Sequence, residues 1–307
     1  MKVFDSAFEL IGNTPLISLG KIKKAYDLKC DIYAKLESKN PAGSIKDRVA
    51  FSMIESAEKE GKISNGATII EPTSGNTGIG VAMISAIKGY NAVIVMPDNV
   101  SKERISLIKA YGGKVVLTDK ILGMQGAVDR AKEIEKSTKN SIILSQFDNP
   151  ANPSAHTVTA MEIERDLDGK MDFFVAGVGT GGTLCGCAKY FKEKKIAVKI
   201  IGVEPESSPL ITKGYAGTHK IQGIGSNFIP KNYDGSLVDE VLTASYEKAV
   251  FFANEVAKKE GILVGISSGA SLSVAIDIAK KEENKGKKLV VIFPDSGERY
   301  LSTGIFD

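Results

Sequence analysis

Lys46 is the residue in this sequence whose surroundings could most readily make a side chain nucleophilic. It follows a Gly-Ser turn in the run Asn40-Pro-Ala-Gly-Ser-Ile-Lys-Asp-Arg48 and opens a helical pattern whose next turns are apolar. The positive end of a helix disfavours a protonated amine, so Lys46 could act as a neutral amine that forms a Schiff base. Most lysines are solvated surface charges. The spacing alone therefore leaves both interpretations open.

A glycine-rich run, Gly177-Val-Gly-Thr-Gly-Gly-Thr183, follows a strand-like segment and precedes a helical pattern. Backbone N–H groups at such a helix start can bind an anion. Gly177, Gly179 and Gly182 have the spacing G-x-G-x-x-G, and Glu204 follows roughly 20 residues later, as in dinucleotide sites. Taken alone, this run favours a nicotinamide or flavin cofactor.

A second loop of similar kind, Glu71-Pro-Thr-Ser-Gly-Asn-Thr-Gly78, argues against that interpretation. It offers hydroxyl groups, an amide and a helix start to another anion, such as a carboxylate. Since one dinucleotide-binding unit needs one such loop, two loops favour a cofactor phosphate together with an amino-acid carboxylate. The alternative, an ordinary capped helix, gives Asn76 no role.

Two further loops carry small and polar residues. Gly265-Ile-Ser-Ser-Gly-Ala270 precedes a helical pattern, and its serines could simply cap that helix, which is worth about 1 kcal/mol. In Gln222-Gly-Ile-Gly-Ser-Asn-Phe228, the glycines predict a flexible lid or a close approach of the backbone to a ligand.

Short β-branched runs alternate with helical patterns along the chain. Strands are predicted at Asp31–Leu36, Ala67–Glu71, Ala92–Met96, Lys114–Thr118, Ser141–Leu144, Phe173–Val178, Lys199–Val203 and Lys288–Phe293. Helices are predicted at Asp47–Glu60, Thr77–Lys88, Lys102–Tyr111, Gly126–Ser137, Ser154–Leu167, Thr183–Lys194, Glu247–Lys259 and Ser271–Glu282. This alternation predicts an α/β fold with two open, mostly parallel twisted sheets flanked by helices. The active site is expected in the cleft between two domains, where the loops after the strands could meet.

The segment Gln146–Pro153, which contains two prolines, is a candidate hinge. The predicted domains are a smaller, mobile one at residues 41–148 and a larger, cofactor-binding one at 1–40 plus 149–307.

Composition excludes several classes of protein. Of 307 residues, 43% are hydrophobic and 25% charged, with a net charge of +3, which is too small and dispersed to predict binding of nucleic acid or an anionic membrane. The chain shows neither a signal peptide nor the roughly 20 apolar residues of a membrane span. Three cysteines cannot pair completely, which fits a reducing cytoplasm. With only two histidines in the chain, Cys185 and Cys187 are expected to be buried helix residues, and no metal site is predicted.

In this order, the five loops resemble those of the cysteine synthase (O-acetylserine sulfhydrylase) family, whose fold is that of the tryptophan-synthase-β-like enzymes. The resemblance runs from Ile11-Gly-Asn-Thr-Pro-Leu16 to Ser296-Gly-Glu-Arg-Tyr-Leu301. It implies pyridoxal 5'-phosphate as cofactor and β-replacement on a small amino acid through an α-aminoacrylate. The cofactor-binding residues it implies are Lys46 as the Schiff-base lysine, Asn76, Gly179, Thr180, Gly181, Gly182, Thr183 and Ser267.

For the substrate, the resemblance implies a carboxylate site at Thr73, Ser74, Asn76, Thr77 and Gln146. We also expect the glycine-containing segment to approach the substrate β-carbon through Gly223, Ser226, Asn227 and Asn232. The resemblance further implies a homodimer and, for some relatives, binding of the C-terminal tail of serine acetyltransferase.

The second substrate is less determined by the sequence. Many family members have Ala-Gly where this chain has Ser226-Asn227, a larger and more polar pair. The leading hypothesis is cysteine synthesis from O-acetylserine and sulfide. Its close rival consumes cysteine and releases hydrogen sulfide, with water or a thiol as nucleophile, giving serine, lanthionine or cystathionine. A nicotinamide-dependent oxidoreductase is a remote alternative.

Overall fold

A computed structural model describes residues 3–307. Its strands are β1 (Leu16–Ser18), β2 (Asp31–Leu36), β3 (Thr68–Pro72), β4 (Asn91–Pro97), β5 (Lys114–Thr118), β6 (Ser141–Ile143), β7 (Phe173–Gly177), β8 (Lys199–Pro205), β9 (Glu240–Ala244) and β10 (Lys288–Phe293). Its helices are α1 (Gly20–Ala25), α2 (Lys46–Lys59), α3 (Asn76–Lys88), α4 (Lys102–Ala110), α5 (Gly123–Ser137), α6 (Ala151–Leu167), α7 (Gly182–Glu193), α8 (Leu210–Lys213), α9 (Tyr246–Glu260) and α10 (Ile266–Ala279). The two mostly parallel sheets flanked by helices confirm the predicted fold class.

The chain packs into two compact units. The first comprises Asn40–Asn152 with the N-terminal segment that ends at Ile11, and the second comprises Gly12–Lys39 and Pro153–Asp307. The domain ranges 41–148 and 1–40 plus 149–307 stay a prediction, since compact packing does not test which part moves. The candidate hinge overlaps the first turn of α6, where proline is tolerated because its missing N–H needs no partner there.

The first unit is built on a four-stranded parallel sheet in the order β5-β4-β3-β6. β3 and β6 pair in register from Thr68 with Ser141 to Ile70 with Ile143. Because both strands run in the same direction, the loops that follow them leave the same edge of the sheet. The core of this unit includes Val49 and Met53 of α2 and Ile79 of α3.

The second unit is built on a six-stranded sheet in the order β1-β2-β10-β7-β8-β9. β1 runs antiparallel to β2, and the other pairs are parallel. The central strand β7 carries the glycine-rich loop at its carboxyl end, between the ends of β10 and β8. Helices α9 and α10 contribute the buried residues Ala253 and Ala270 to the core of this unit.

A buried ion pair holds the segment before β1 in the second unit. The Lys35 ammonium group is wholly buried and lies 2.8 Å from a Glu162 carboxylate oxygen. It also donates a 2.6 Å hydrogen bond to the carbonyl oxygen of Thr14, while the other Glu162 oxygen accepts from the Asn13 N–H at 2.8 Å. A buried charge needs such partners, so this network fixes the start of the unit.

Within residues 3–307, the helices fall short of the length and apolar character that crossing a bilayer requires.

Candidate active site

Lys46 is the first residue of α2 and is partly buried. The turn before it is closed by the buried carboxylate of Asp47, which accepts a 2.6 Å hydrogen bond from the N–H of Ala42. Helix α3 approaches closely: a Cβ atom at Gly80 would lie 3.0 Å from the carbonyl oxygen of Lys46 and 3.2 Å from the Cβ of Ala50. A side chain at position 80 would therefore push Lys46 away from the first turns of α3.

The loop after β3 has the form of an anion site. Asn76 is the first residue of α3, and Gly75 precedes it as the N-cap. The Thr73 hydroxyl accepts a 3.2 Å hydrogen bond from the N–H of Gly75. Thr73 and Thr77 are buried, whereas Ser74 is exposed. N–H groups in the first turn of a helix lack partners within the helix, so this loop can receive a carboxylate.

Gln146 joins this loop from the segment after β6. The Thr77 hydroxyl donates a 2.6 Å hydrogen bond to Oε1 of Gln146, and both side chains are buried. The structure thus gathers Lys46, Asn76 and the predicted carboxylate residues within the first unit.

Glu71 is a site neighbour that sequence reasoning did not single out, although the second loop begins with it. Its buried carboxyl accepts the N–H groups of Ser145 at 3.0 Å and Gln146 at 3.2 Å. Burial raises the pKa of Glu71 to about 8, while hydrogen bonds from Gln146 and Ser145 act in the opposite direction. A charged residue in an apolar strand is the only signal that could have identified it.

In the second unit, the glycine-rich loop forms a cradle that side chains would fill. A Cβ atom at Gly179 would lie 2.4 Å from the carbonyl oxygen of Gly223, and one at Gly181 would lie 2.8 Å from the nitrogen of Tyr233. Gly181 also has a φ of +80° and directly precedes the first residue of α7. The N–H groups at the start of a helix and the lack of room for side chains fit a phosphate group.

Thr183 in this loop contacts a buried histidine. Its hydroxyl oxygen lies 3.2 Å from Nε2 of His156, whose Nδ1 lies 3.3 Å from the hydroxyl oxygen of Thr159. With the ring proton on Nε2, the Thr183 hydroxyl would accept from His156 and donate its own proton to an anion. No signal in the sequence indicated that His156 contacts this loop.

The segment after Ile221 lies against the glycine-rich loop. The Gly225 N–H donates to the Val178 carbonyl oxygen at 2.9 Å, and the Ser226 hydroxyl donates to the Gly179 carbonyl oxygen at 2.9 Å. Asn227 is exposed and Asn232 is half-buried. The Ser226 hydroxyl proton is therefore committed to the loop that would hold the cofactor phosphate.

Ser267 lies in the first turn of α10, whose N-cap is Gly265. The interpretation of the serines as N-cap residues is therefore wrong. The Ser267 hydroxyl oxygen lies 3.8 Å from the position that a Cβ at Gly223 would occupy. The second unit thus brings Ser267, Gly223 and the glycine-rich loop together.

Glu204, which supported a dinucleotide site, has a different role. Its buried carboxylate accepts the N–H groups of Ile211 at 2.9 Å and Thr212 at 3.0 Å, and the Thr212 hydroxyl at 2.6 Å. These bonds hold the start of the short helix α8. Since the carboxylate is engaged there, the nicotinamide interpretation loses its second support.

Comparisons with known proteins agree with this geometry. Residues 7–295 match the family described as pyridoxal-phosphate dependent enzyme. A cysteine synthase of Staphylococcus aureus is 47% identical over 307 residues, which cover 99% of this chain and 98% of that protein. Among solved structures, a hydrogen sulfide-producing enzyme from Fusobacterium nucleatum has a TM-score of 0.93 and 50% identity, covering 97% of this chain and 100% of that one. Cysteine synthase from Entamoeba histolytica has a TM-score of 0.96 and 42% identity, covering 99% of this chain and 91% of that one.

The chain therefore belongs to the family of pyridoxal-phosphate dependent enzymes, as a β-replacement enzyme of the cysteine synthase type.

Proposed function

We propose that this enzyme makes cysteine from O-acetylserine and sulfide. The observation that carries the proposal is the presence of two separate loops that each lead into a helix start, one of which lies in the same compact unit as Lys46. A cofactor phosphate and a substrate carboxylate account for both loops. The cysteine synthase of Staphylococcus aureus, at 47% identity over nearly the whole chain, supports this substrate pair.

The family resemblance supports a role for each of the following residues in holding the cofactor. Lys46 would carry it covalently, Asn76 would hydrogen-bond its phenolic oxygen, and Gly179–Thr183 would bind its phosphate. Ser267 would meet the pyridine nitrogen. When bound, pyridoxal phosphate withdraws electrons from the substrate Cα. A serine hydroxyl stabilises a protonated pyridine nitrogen less than a carboxylate does, and this favours elimination over transamination.

The substrate would be held by its carboxylate, its amino group would displace Lys46 from the cofactor, and the freed Lys46 amine would remove the Cα proton. Thr73, Ser74, Asn76, Thr77 and Gln146 would bind the carboxylate. Because α2 begins at Lys46, the helix dipole favours the neutral amine that accepts the Cα proton. Acetate then leaves Cβ, hydrosulfide adds there, and Lys46 returns the proton to Cα.

The segment that contains Gly223, Ser226, Asn227 and Asn232 would lie beside the substrate Cβ and contact the nucleophile that adds there. A second candidate function follows from this segment and from the hydrogen sulfide-producing enzyme of Fusobacterium nucleatum at 50% identity. In this second candidate reaction of the present enzyme, cysteine would lose sulfide, and water or a thiol would add at Cβ.

Product analysis distinguishes the two functions. The purified enzyme is incubated with O-acetylserine plus sulfide, with cysteine alone, and with cysteine plus a thiol, and products are identified by mass. The proposal is supported if cysteine forms in the first mixture faster than cysteine is consumed in the other two. The second candidate is supported if serine or a thioether forms from cysteine, with release of sulfide, faster than cysteine forms from O-acetylserine. Absence of all these products would overturn both.

We also propose that the enzyme acts as a homodimer in the cytoplasm and can bind the C-terminal tail of serine acetyltransferase. The family resemblance supports both the homodimer and the binding of the serine acetyltransferase tail. The three free, buried cysteines fit a reducing compartment. Light scattering after size exclusion tests the dimer. Titration of the enzyme with a synthetic peptide of that tail, monitored by cofactor fluorescence, tests whether the tail binds.

A further inference from the structure

Strands β3 and β6 separate at a point where Glu71 takes over their hydrogen bonds. The last backbone bond between the two segments runs from the Leu144 N–H to the Ile70 carbonyl oxygen at 3.2 Å. The next two N–H groups, of Ser145 and Gln146, instead donate to the two carboxyl oxygens of Glu71. The Glu71 side chain therefore binds two consecutive N–H groups at the point where the backbones of the two strands diverge.

Hydrogen bonds fix both the backbone and the side chain of Gln146. Its backbone N–H is bound by Glu71, its carbonyl oxygen accepts a 2.7 Å bond from the Asn152 side chain, and its Oε1 accepts from Thr77. The Gln146 side chain also hydrogen-bonds the Glu71 carboxyl. Since Oε1 already accepts from Thr77, that bond uses the amide nitrogen. Glu71 and Thr77 together determine which way the amide faces.

The backbone beside Gln146 is strained, which makes this support necessary. Ser145 has a φ of +56°, in the left-handed region that is unfavourable for a residue with a side chain. Its N–H is one of the two groups that Glu71 binds. Glu71 is itself 1% exposed, and a buried carboxyl costs free energy that an apolar residue in its place would not.

We infer that Glu71 is a positioning residue that orients Gln146 and thereby sets the affinity for the substrate α-carboxylate. The inference rests on the proposed function, because it takes Gln146 as a carboxylate ligand. Glu71 acts through Gln146 and is not itself a catalytic residue.

The test uses the cofactor-loaded enzyme and a double-mutant cycle. Variants Glu71→Ala, Glu71→Gln, Gln146→Ala and Glu71→Ala with Gln146→Ala are titrated with O-acetylserine and with cysteine. The readouts are the amino-acid concentration at half-maximal change of cofactor absorbance, the cofactor content before titration, and the melting temperature. Ile70→Val is the matched control, since Ile70 is the buried neighbour in β3 and belongs to a separate core cluster.

We expect Glu71→Ala to raise the half-saturating concentration by roughly tenfold or more, because two N–H groups lose their acceptor. Cofactor content should stay normal. Glu71→Gln keeps one acceptor oxygen and should have a smaller effect in the same direction, which keeps the test decisive if Glu71→Ala does not fold. In the Gln146→Ala background, Glu71→Ala should add at most about twofold. Ile70→Val should lower the melting temperature without changing substrate affinity.

Two results would overturn the inference on its own. One is a Gln146→Ala effect on affinity with no effect of either Glu71 variant. The other is an equal effect of Glu71→Ala with and without Gln146. If Gln146→Ala leaves the affinity unchanged, the carboxylate assignment in the proposed function fails, and the inference fails with it.

Discussion

The Thr77 hydroxyl donates a 2.6 Å hydrogen bond to Oε1 of Gln146, and so joins the loop after β3 to the segment after β6. Because the amide oxygen accepts this proton, the amide nitrogen faces other partners and can only donate. One of its two protons goes to the Glu71 carboxyl, and the other can be donated to a ligand. A ligand for a carboxylate must be a donor. The pair therefore presents Gln146 in the orientation that the proposed carboxylate site needs.

Removal of a carboxylate ligand should weaken substrate binding and leave the cofactor in place. Gln146→Ala or Thr73→Ala removes a hydrogen bond to a charged group, worth about 1.5–3 kcal/mol. This corresponds to roughly 10- to 100-fold more amino acid for half-maximal change of cofactor absorbance. Ser56→Ala, which removes a hydroxyl of α2 that is bonded to Glu60 just beyond the end of the helix, is the control and should not change this concentration. Loss of cofactor with unchanged substrate affinity would show that these residues bind the cofactor instead.

Glu71 should make stability depend on pH in a defined direction. Burial raises its pKa from an ordinary 4.5 to about 8, so the folded protein holds a proton that the unfolded chain loses above about pH 4.5. The contribution of Glu71 to the free energy of unfolding is therefore complete below pH 4.5 and falls as the pH rises to about 8. Glu71→Gln cannot titrate and should lose less stability than the natural protein between pH 5 and pH 8. Urea unfolding of both proteins across this range measures the difference, and a constant difference would contradict the assignment.

A carboxylate in place of the Ser267 hydroxyl should change the electronic state of the cofactor ring. Ser267→Asp favours a protonated pyridine nitrogen and so stabilises negative charge at Cα. β-Elimination should then slow by roughly tenfold, equal to about 1.4 kcal/mol in the barrier. Stopped-flow absorbance after mixing with O-acetylserine measures this step. Ser268→Ala is the control, since the buried Ser268 hydroxyl has no hydrogen-bond partner among residues 3–307; equal rates in all three proteins would leave Ser267 as a packing residue.

Asn232 should limit the reaction with water. Water needs a general base to attack Cβ, whereas hydrosulfide is reactive without one, and an amide cannot accept the proton. If this segment lies near Cβ, Asn232→Asp should supply the base and raise serine and sulfide formation from cysteine by roughly tenfold or more. Ser226→Ala with Asn227→Gly should shift activity toward simple sulfide addition. Cofactor content must be measured alongside, because Ser226 is bonded to Gly179. An unchanged ratio of the two activities in every variant would exclude the segment as the selector of the nucleophile.

The regular elements of the fold were predictable because their patterns are local. The strands at Asp31–Leu36, Lys114–Thr118 and Lys288–Phe293 were predicted with the bounds that the structure has. β1 and β9 were missed because they lie at the two edges of their sheet and are only partly buried, so they lack a continuous apolar run.

Tertiary contacts decide what the local pattern could not. The helix predicted from Ser271 begins at Ile266, in a run of serine and glycine that disfavours helix. Gly269 is required there because a Cβ would lie 1.9 Å from the carbonyl oxygen of Ala249. Likewise, Glu71 and His156 gain their significance from partners far along the chain, Gln146 and Thr183, and no spacing in the sequence connects them.

The central claim is that Lys46 carries the cofactor, and its chemical modification tests this most directly. The yellow, cofactor-loaded enzyme is reduced with borohydride and digested, and the masses of its peptides are determined by mass spectrometry. The same procedure is applied to Lys46→Ala. Lys59→Ala, at the other end of α2, is the control. The account predicts one reduced cofactor adduct, on Lys46, in the natural protein and in Lys59→Ala, with neither adduct nor turnover in Lys46→Ala. An adduct on another lysine, or full turnover without Lys46, would contradict it.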